Sequence, residues 1–163
     1  MKVWQRRVIG ILGVGGGAIG IAAVTSVVAQ QHNPIEWLFS LIFAALYAWG
    51  LWCGVRMLEG SPDAERKNLI FWLVQVPVFS SPVLGYFFAN GFHLTVSVQA
   101  SPLNFNANFF LGSTFTYSLL QSDKPWILGV NLFALGVALW LVRVMRRLPP
   151  NNSSKPTPLR GAA

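Results

Sequence analysis

The sequence predicts an all-α integral membrane protein: a four-helix transmembrane bundle with a small antiparallel β-meander in the external loop between helices 3 and 4. Composition is the first reason, because 53% of the 163 residues are hydrophobic and only 10% are charged, against roughly a quarter charged in soluble domains. The second reason is that the apolar residues cluster in four long runs. The third is that eleven of the 12 Lys and Arg residues flank the same ends of those runs.

The four runs define the expected spans, because a transmembrane helix needs about 20 mostly apolar residues. Their expected boundaries are about 8–29, 35–57, 66–90 and 125–146. The second run begins at Asn33-Pro34, a capping residue followed by a proline at the first helical position. Trp37 and Trp126 open the second and fourth runs, and tryptophan at such depths is typical of the membrane interface.

The positions of Lys and Arg predict the orientation. One side carries Lys2, Arg6, Arg7, Arg56, Arg66, Lys67, Arg143, Arg146, Arg147, Lys155 and Arg160, and the other side carries only Lys124. The positive-inside rule then puts both termini in the cytoplasm. The small size and the basic inner ends favour a bacterial inner membrane as the location.

The two ends of the chain carry sequence signals of their own. The first run resembles a cleavable signal peptide in its basic start, but its apolar stretch exceeds the roughly 7–15 residues of a signal core. We therefore expect an uncleaved anchor, and cleavage would leave three spans in the same orientation. Residues 149–163 are rich in Pro, Asn and Ser, which predicts a disordered cytoplasmic tail after a transmembrane domain at 1–148.

The segment between the third and fourth runs is too long for a structureless loop in a compact protein. Leu94, Val96 and Val98 alternate with polar residues, and the alternation continues to about residue 120. A period of two with β-branched and aromatic residues predicts strands. We expect a three-stranded meander at about 93–120, acting either as a lid on the bundle or as a docking surface for a partner.

The first span carries a glycine face. Gly13 and Gly17, and likewise Gly16 and Gly20, are four residues apart. Small residues at this spacing let two helices approach closely in lipid, so these four are the predicted helix-packing residues. Their partner is either another span of the chain or a second copy in a homodimer. The run also matches a dinucleotide-binding pattern, but that pattern requires a strand-to-helix turn, so no cofactor is expected.

A second cluster of candidates is polar. Gln75, Ser80 and Ser81 lie in the third predicted span with two prolines, and Asn131 lies in the fourth at a similar predicted depth. We expect these four side chains to make interhelical hydrogen bonds. The alternative is an intramembrane polar site at the proline-broken helix.

No residue pattern indicates catalysis, and the single cysteine excludes an internal disulfide. His32, His93 and Glu36 would share the outer side, but no metal site is expected. The basic residues lie only at the ends of apolar runs, which indicates no nucleic-acid partner. The first hypothesis is therefore a non-enzymatic scaffold, assembly or accessory subunit of a larger membrane complex. The alternative is a binding or transport module for a small or lipid-like molecule, and a third is a lipid-acting enzyme.

Overall fold

The computed structural model describes residues 1–31 and 33–147, which form four helices and one six-stranded antiparallel sheet. The helices are α1 (Val3–Val28), α2 (Pro34–Glu59), α3 (Ala64–Val74) and α4 (Leu132–Arg146). The strands are β1 (Pro77–Ser80), β2 (Leu84–Ala89), β3 (Phe92–Ala100), β4 (Leu103–Leu111), β5 (Thr114–Leu119) and β6 (Ile127–Asn131). His32 and the predicted tail at 149–163 lie outside the described residues.

The predicted all-α four-helix transmembrane bundle is wrong. Among the described residues, only α1 and α2 are long and apolar enough to cross a membrane. The predicted span at 66–90 is helical only to Val74 and continues as β1 and β2, and the predicted span at 125–146 begins as β6. Pro77 lacks an N–H group and disfavours helix in the residue before it. An apolar run does not by itself distinguish a buried strand from a helix.

The two long helices pack against each other in antiparallel directions along a glycine-lined contact. A Cβ built on Gly13 would lie 2.9 Å from the Cα of Gly54 in α2. A Cβ on Gly17 would lie 2.8 Å from the Tyr47 carbonyl oxygen. Because α1 presents no side chain at these glycines, its backbone lies close to α2. α2 ends at Gly60, whose φ of 72° is the left-handed cap conformation that glycine favours.

The strand order in the sheet is β4-β3-β6-β1-β2-β5. The predicted meander at 93–120 is wrong in its pairing, although β3, β4 and β5 occupy that region. β3 pairs with β4, but β5 pairs with β2 instead of β4. The reason is packing, because Phe115 of β5 and Phe88 of β2 both contact Phe43 of α2, at ring distances of 4.8 and 6.1 Å.

Short connections force this sheet to curl. β4 and β5 are its two edges, about 24 Å apart in a flat six-stranded sheet. Only Gly112 and Ser113 separate the two strands in the chain, and a link of that length spans at most about 11 Å. The strands therefore wrap around a central space, and the seam between β4 and β5 carries no strand pairing. We call the enclosed space the lumen.

The sheet lies beside the second half of α1 and the first half of α2. At its lower end, the Asn90 side-chain amide donates to the Leu12 carbonyl at 3.2 Å, near the middle of α1. At its upper end, Gln31 Nε2 donates to the Tyr117 hydroxyl at 3.1 Å, just beyond the end of α1. The short helices α3 and α4 pack beside each other below the sheet, and the buried Asn68 of α3 donates to the Cys53 carbonyl of α2 at 2.9 Å. The basic half of the molecule is thus entirely helical, and the other half consists of the sheet and the remaining turns of α1 and α2.

Candidate binding site inside the sheet

The sheet is polar inside and apolar outside. In β3, His93 and Thr95 face the lumen and are only 3% and 6% exposed, whereas Leu94 and Val96 face outward and are 37% and 40% exposed. Alternate residues of a strand point to opposite faces, so the burial pattern assigns each face directly. A soluble protein buries its apolar face instead. The inverted arrangement matches that of transmembrane barrels, which turn apolar residues toward lipid and polar residues toward the interior.

One cavity of about 550 Å³ occupies the lumen, and residues from all six strands line it. Its polar lining is Ser80, His93, Thr95, Ser97, Asn106, Asn108, Thr116 and Ser118, and apolar side chains such as Val78, Phe87 and Ile127 complete the wall. Ligand sites commonly fall between about 300 and 1,000 Å³, so the volume suits a small molecule or a headgroup. By contrast, the groove of about 410 Å³ between α1 and α4 is walled almost entirely by apolar side chains.

Two buried polar atoms in the lumen have no hydrogen-bond partner among the described residues. They are Nδ1 of His93 and Oγ1 of Thr95. Leaving such a group unsatisfied costs about 1–3 kcal/mol, so buried polar groups nearly always find a partner. Both side chains line the cavity, which makes a polar molecule within it the natural partner.

Glycines at lumen-facing positions keep the space open. A Cβ on Gly129 of β6 would lie 2.7 Å from the Cβ of Ser97, and a Cβ on Gly85 of β2 would collide with the Ser118 hydroxyl. The curled strands therefore bring neighbouring lumen positions into close contact, and side chains at these two positions would fill the interior. Glycine within a strand often marks such a close approach.

The lining of the lumen is neutral except at its mouth. Lys124, in the loop before β6, supplies its charged group, and no carboxylate lines the cavity among the described residues. A cation would find no counter-charge here, whereas hydroxyl, imidazole and amide groups bind neutral and anionic polar groups well. In the described ranges, no three His, Cys, Asp or Glu side chains lie close enough together to hold a metal ion.

The predicted helix-packing glycines are all buried, and they contact partners within the same chain. Gly13, Gly17 and Gly20 face α2, and the last of them packs against the Tyr47 ring. Gly16 faces the corner between β2 and β3, where a Cβ on Gly91 would approach the Gly16 Cα at 3.3 Å. Gly91 itself has a φ of 81°, which a residue with a side chain rarely adopts.

The four predicted polar residues lie at different places and form no single site. Gln75 is buried and accepts a hydrogen bond from the Asn90 backbone N–H at 2.8 Å. Ser81 closes the turn between β1 and β2 through the Leu84 backbone. Asn131 caps α4 by accepting from the Ala134 N–H at 3.2 Å.

Only Ser80 of these four lines the lumen cavity. It lies opposite Ile127 at the upper end of β1, whereas Asn131 bonds beside Val76 at the lower end. Four residues of strand separate these two levels, which is about 13 Å. The two side chains therefore lie at different depths, whereas the prediction of two helical spans places them at a similar depth.

The residues that line the lumen were visible in the sequence only as the polar half of an alternating pattern. Thr95, Ser97, Asn106 and Asn108 occupy every second position of two neighbouring strands. The pattern identifies one face but gives no information on whether that face meets water or encloses a cavity. Comparisons of the chain with protein-family models, with curated proteins and with solved structures found no match.

Proposed function

We propose that this protein is a non-enzymatic binding module of the cell membrane that takes a small polar molecule or headgroup into the lumen of its sheet. The observation that carries the proposal is the cavity of about 550 Å³ with a polar lining and an apolar exterior. A polar interior that encloses volume binds polar groups, and an apolar exterior needs an apolar surrounding.

The membrane setting rests on exposed apolar surface. In the most apolar windows of α1 and α2, only 39% and 33% of the residues are buried, which is unlike the core helix of a soluble protein. Large apolar side chains on both helices therefore face outward, as do those of β3 and β4. Lipid contact removes this surface from water at about 25 cal/mol per Å².

We place α1 and α2 across a bacterial inner membrane, with both termini on the cytoplasmic side. Lys2, Arg6 and Arg7 begin α1, and Arg56 lies in the last turn of α2. α4 also ends in basic residues, at Arg143 and Arg146. All three ends lie on the side of the molecule away from the sheet, so the positive-inside rule directs the lumen outward.

The test is native mass spectrometry of the full chain released from membranes in mild detergent. The wild type is expected to carry a bound adduct of defined mass. Asn106→Trp fills the lumen from the exposed strand β4 and should remove the adduct. The control is Phe105→Trp, since Phe105 is the neighbouring residue and faces outward. Equal adducts in both variants, with both folded by circular dichroism, would reject the proposal.

A second candidate function is the scaffold or accessory-subunit role that the sequence predicts. One observation favours it: β4 is a nine-residue edge strand that is exposed along its whole length. Unpaired edges are ready templates for another strand, and unpaired backbone groups are costly in lipid. Ala107→Pro should then lower the oligomeric mass measured by light scattering. A monomeric mass for both the wild type and the variant would reject assembly through this edge.

A further inference from the structure

We propose that the ligand is an amphipathic lipid whose hydroxyl-bearing, neutral or singly anionic headgroup occupies the lumen while one acyl chain lies in an adjoining groove. This inference rests on the proposed binding function and names its ligand class. It depends on a second cavity, on the residues that connect the two cavities, and on the charge of the lumen lining.

The second cavity is an apolar groove of about 620 Å³ on the outer surface of the sheet. Its walls are Val98, Ala100, Leu103, Trp126 and Leu128. These residues lie at the upper rim, where the Ala100 backbone N–H donates to the Trp126 carbonyl at 2.9 Å. The groove offers little polar surface, so an acyl chain suits it better than water does.

The groove and the lumen adjoin at the rim. Phe79, Ser80 and Ile127 line both cavities. Ser80 pairs with Ile127 across β1 and β6, so the polar and the apolar cavity meet at one point of the sheet. A molecule that extends over this point has its polar end in the lumen and its apolar end in the groove, which is the construction of a lipid.

A free polar solute uses only half of this site, because the groove stays exposed. A purely apolar molecule uses only the other half, because its entry into the lumen leaves Thr95 and His93 without partners. An amphipathic ligand satisfies both halves at once. Lys124 at the mouth, with no carboxylate in the described lining, selects against a cationic headgroup.

The experiment measures thermal unfolding of the full chain in dodecyl maltoside with three soluble probes. They are dihexanoyl phosphatidylglycerol, dihexanoyl phosphatidylcholine with the same chains, and glycerophosphoglycerol, which is the singly charged headgroup without the acyl chains. The phosphatidylglycerol should raise the midpoint temperature at the lowest concentration. Each of the other two should need at least about tenfold more, which corresponds to about 1.4 kcal/mol of binding free energy.

Three variants divide the site. Ala100→Phe fills the groove and should weaken phosphatidylglycerol binding about tenfold while glycerophosphoglycerol binding is unaffected. Thr95→Val keeps the shape but removes a lumen hydroxyl, and should weaken both ligands. Val96→Thr is the matched control, because it makes the reverse change on the adjacent outward-facing residue, and it should weaken neither.

The outcomes separate the two proposals. If all three probes bind equally and Ala100→Phe changes nothing, the lipid assignment is wrong, although the lumen still binds polar groups. If Ala100→Phe changes the oligomeric mass instead of lipid affinity, the groove binds a second copy and the assignment is also wrong. If no probe binds and Asn106→Trp leaves the native mass spectrum unchanged, the binding function itself is rejected.

Discussion

The helix pair α1–α2 and the six-stranded sheet have the same exterior and opposite interiors. Both turn large apolar side chains outward. Where glycines line the helix contact, one backbone lies directly against the other and leaves no room for a ligand. Inside the sheet there is a cavity of about 550 Å³ lined by hydroxyl and amide groups.

The difference follows from how each element satisfies its backbone. A helix makes all of its hydrogen bonds internally, so it crosses lipid without help and needs only a small-residue face to pack. A strand must pair with neighbouring strands, and a sheet that curls encloses volume. In the proposed function the helices therefore serve as the anchor, and the sheet binds the ligand. Four experiments test this contrast.

The largest effect is expected at the helix contact. Gly13→Leu places a side chain against the α2 backbone, where a Cβ alone would lie 2.9 Å from the Gly54 Cα. Backbone cannot yield as a flexible side chain can, so we expect a loss at the upper end of the ~1–3 kcal/mol typical of overpacking, or more. Thermal unfolding in detergent, followed by circular dichroism, measures it.

Gly15→Leu is the matched control for this prediction. Gly15 is two residues away on the same helix, and a Cβ there meets nothing within 4 Å. It should change the unfolding midpoint little. Because leucine has a higher helix propensity than glycine, equal losses at both positions would mean that the close contact with α2 does not explain the effect.

The next effect is expected where the sheet joins the helices. Gln75→Leu removes the acceptor that the buried Asn90 N–H uses at 2.8 Å, and the same Asn90 binds α1 through Leu12. An unsatisfied buried N–H costs about 1–3 kcal/mol. Hydrogen exchange should show faster opening at the β2–β3 corner than in α1. Gln121→Leu, on an exposed loop, should show neither change, and identical exchange in the two variants would contradict the role of Gln75.

A smaller effect is expected at the start of α4. Asn131→Ala removes the side-chain acceptor of the Ala134 N–H, and loss of such a cap costs about 0.5–2 kcal/mol. Asn131→Ser keeps a neutral side-chain acceptor at this fully buried position and should retain most of the unfolding midpoint in dodecyl maltoside. If Asn131→Ala leaves stability unchanged but abolishes binding of phosphatidylglycerol, Asn131 belongs to the ligand site and the capping role is wrong.

The same contrast explains what the sequence could predict. The predicted spans at 8–29 and 35–57 correspond closely to α1 and α2, because a long uninterrupted apolar run is typical of a membrane-spanning helix. The runs near 66–90 and 125–146 also contain long apolar stretches, yet each changes from helix to strand or the reverse at one point. Val76 before Pro77 and Asn131 before Leu132 lie at those points.

The lumen was harder to predict than the helices. The alternation along β3 and β4 was evident, but a period of two assigns residues to faces without saying which face is inside. That depends on the closure of the sheet, which the two-residue link at Gly112 and Ser113 imposes together with the pairing of β5 with β2. Such pairing is non-local, and no local pattern encodes it.

The most direct test of the inverted sheet is cysteine accessibility in membranes. Cys53 is buried and is the single cysteine of the chain, so Cys53→Ser provides a background for single replacements at Val96, Ser97, Phe105 and Asn106. A small charged methanethiosulfonate should label positions 97 and 106, which face the lumen, and leave 96 and 105, which face lipid, unlabelled. Labelling of 96 and 105 in preference to 97 and 106, or of all four alike, would contradict a polar interior within an apolar shell.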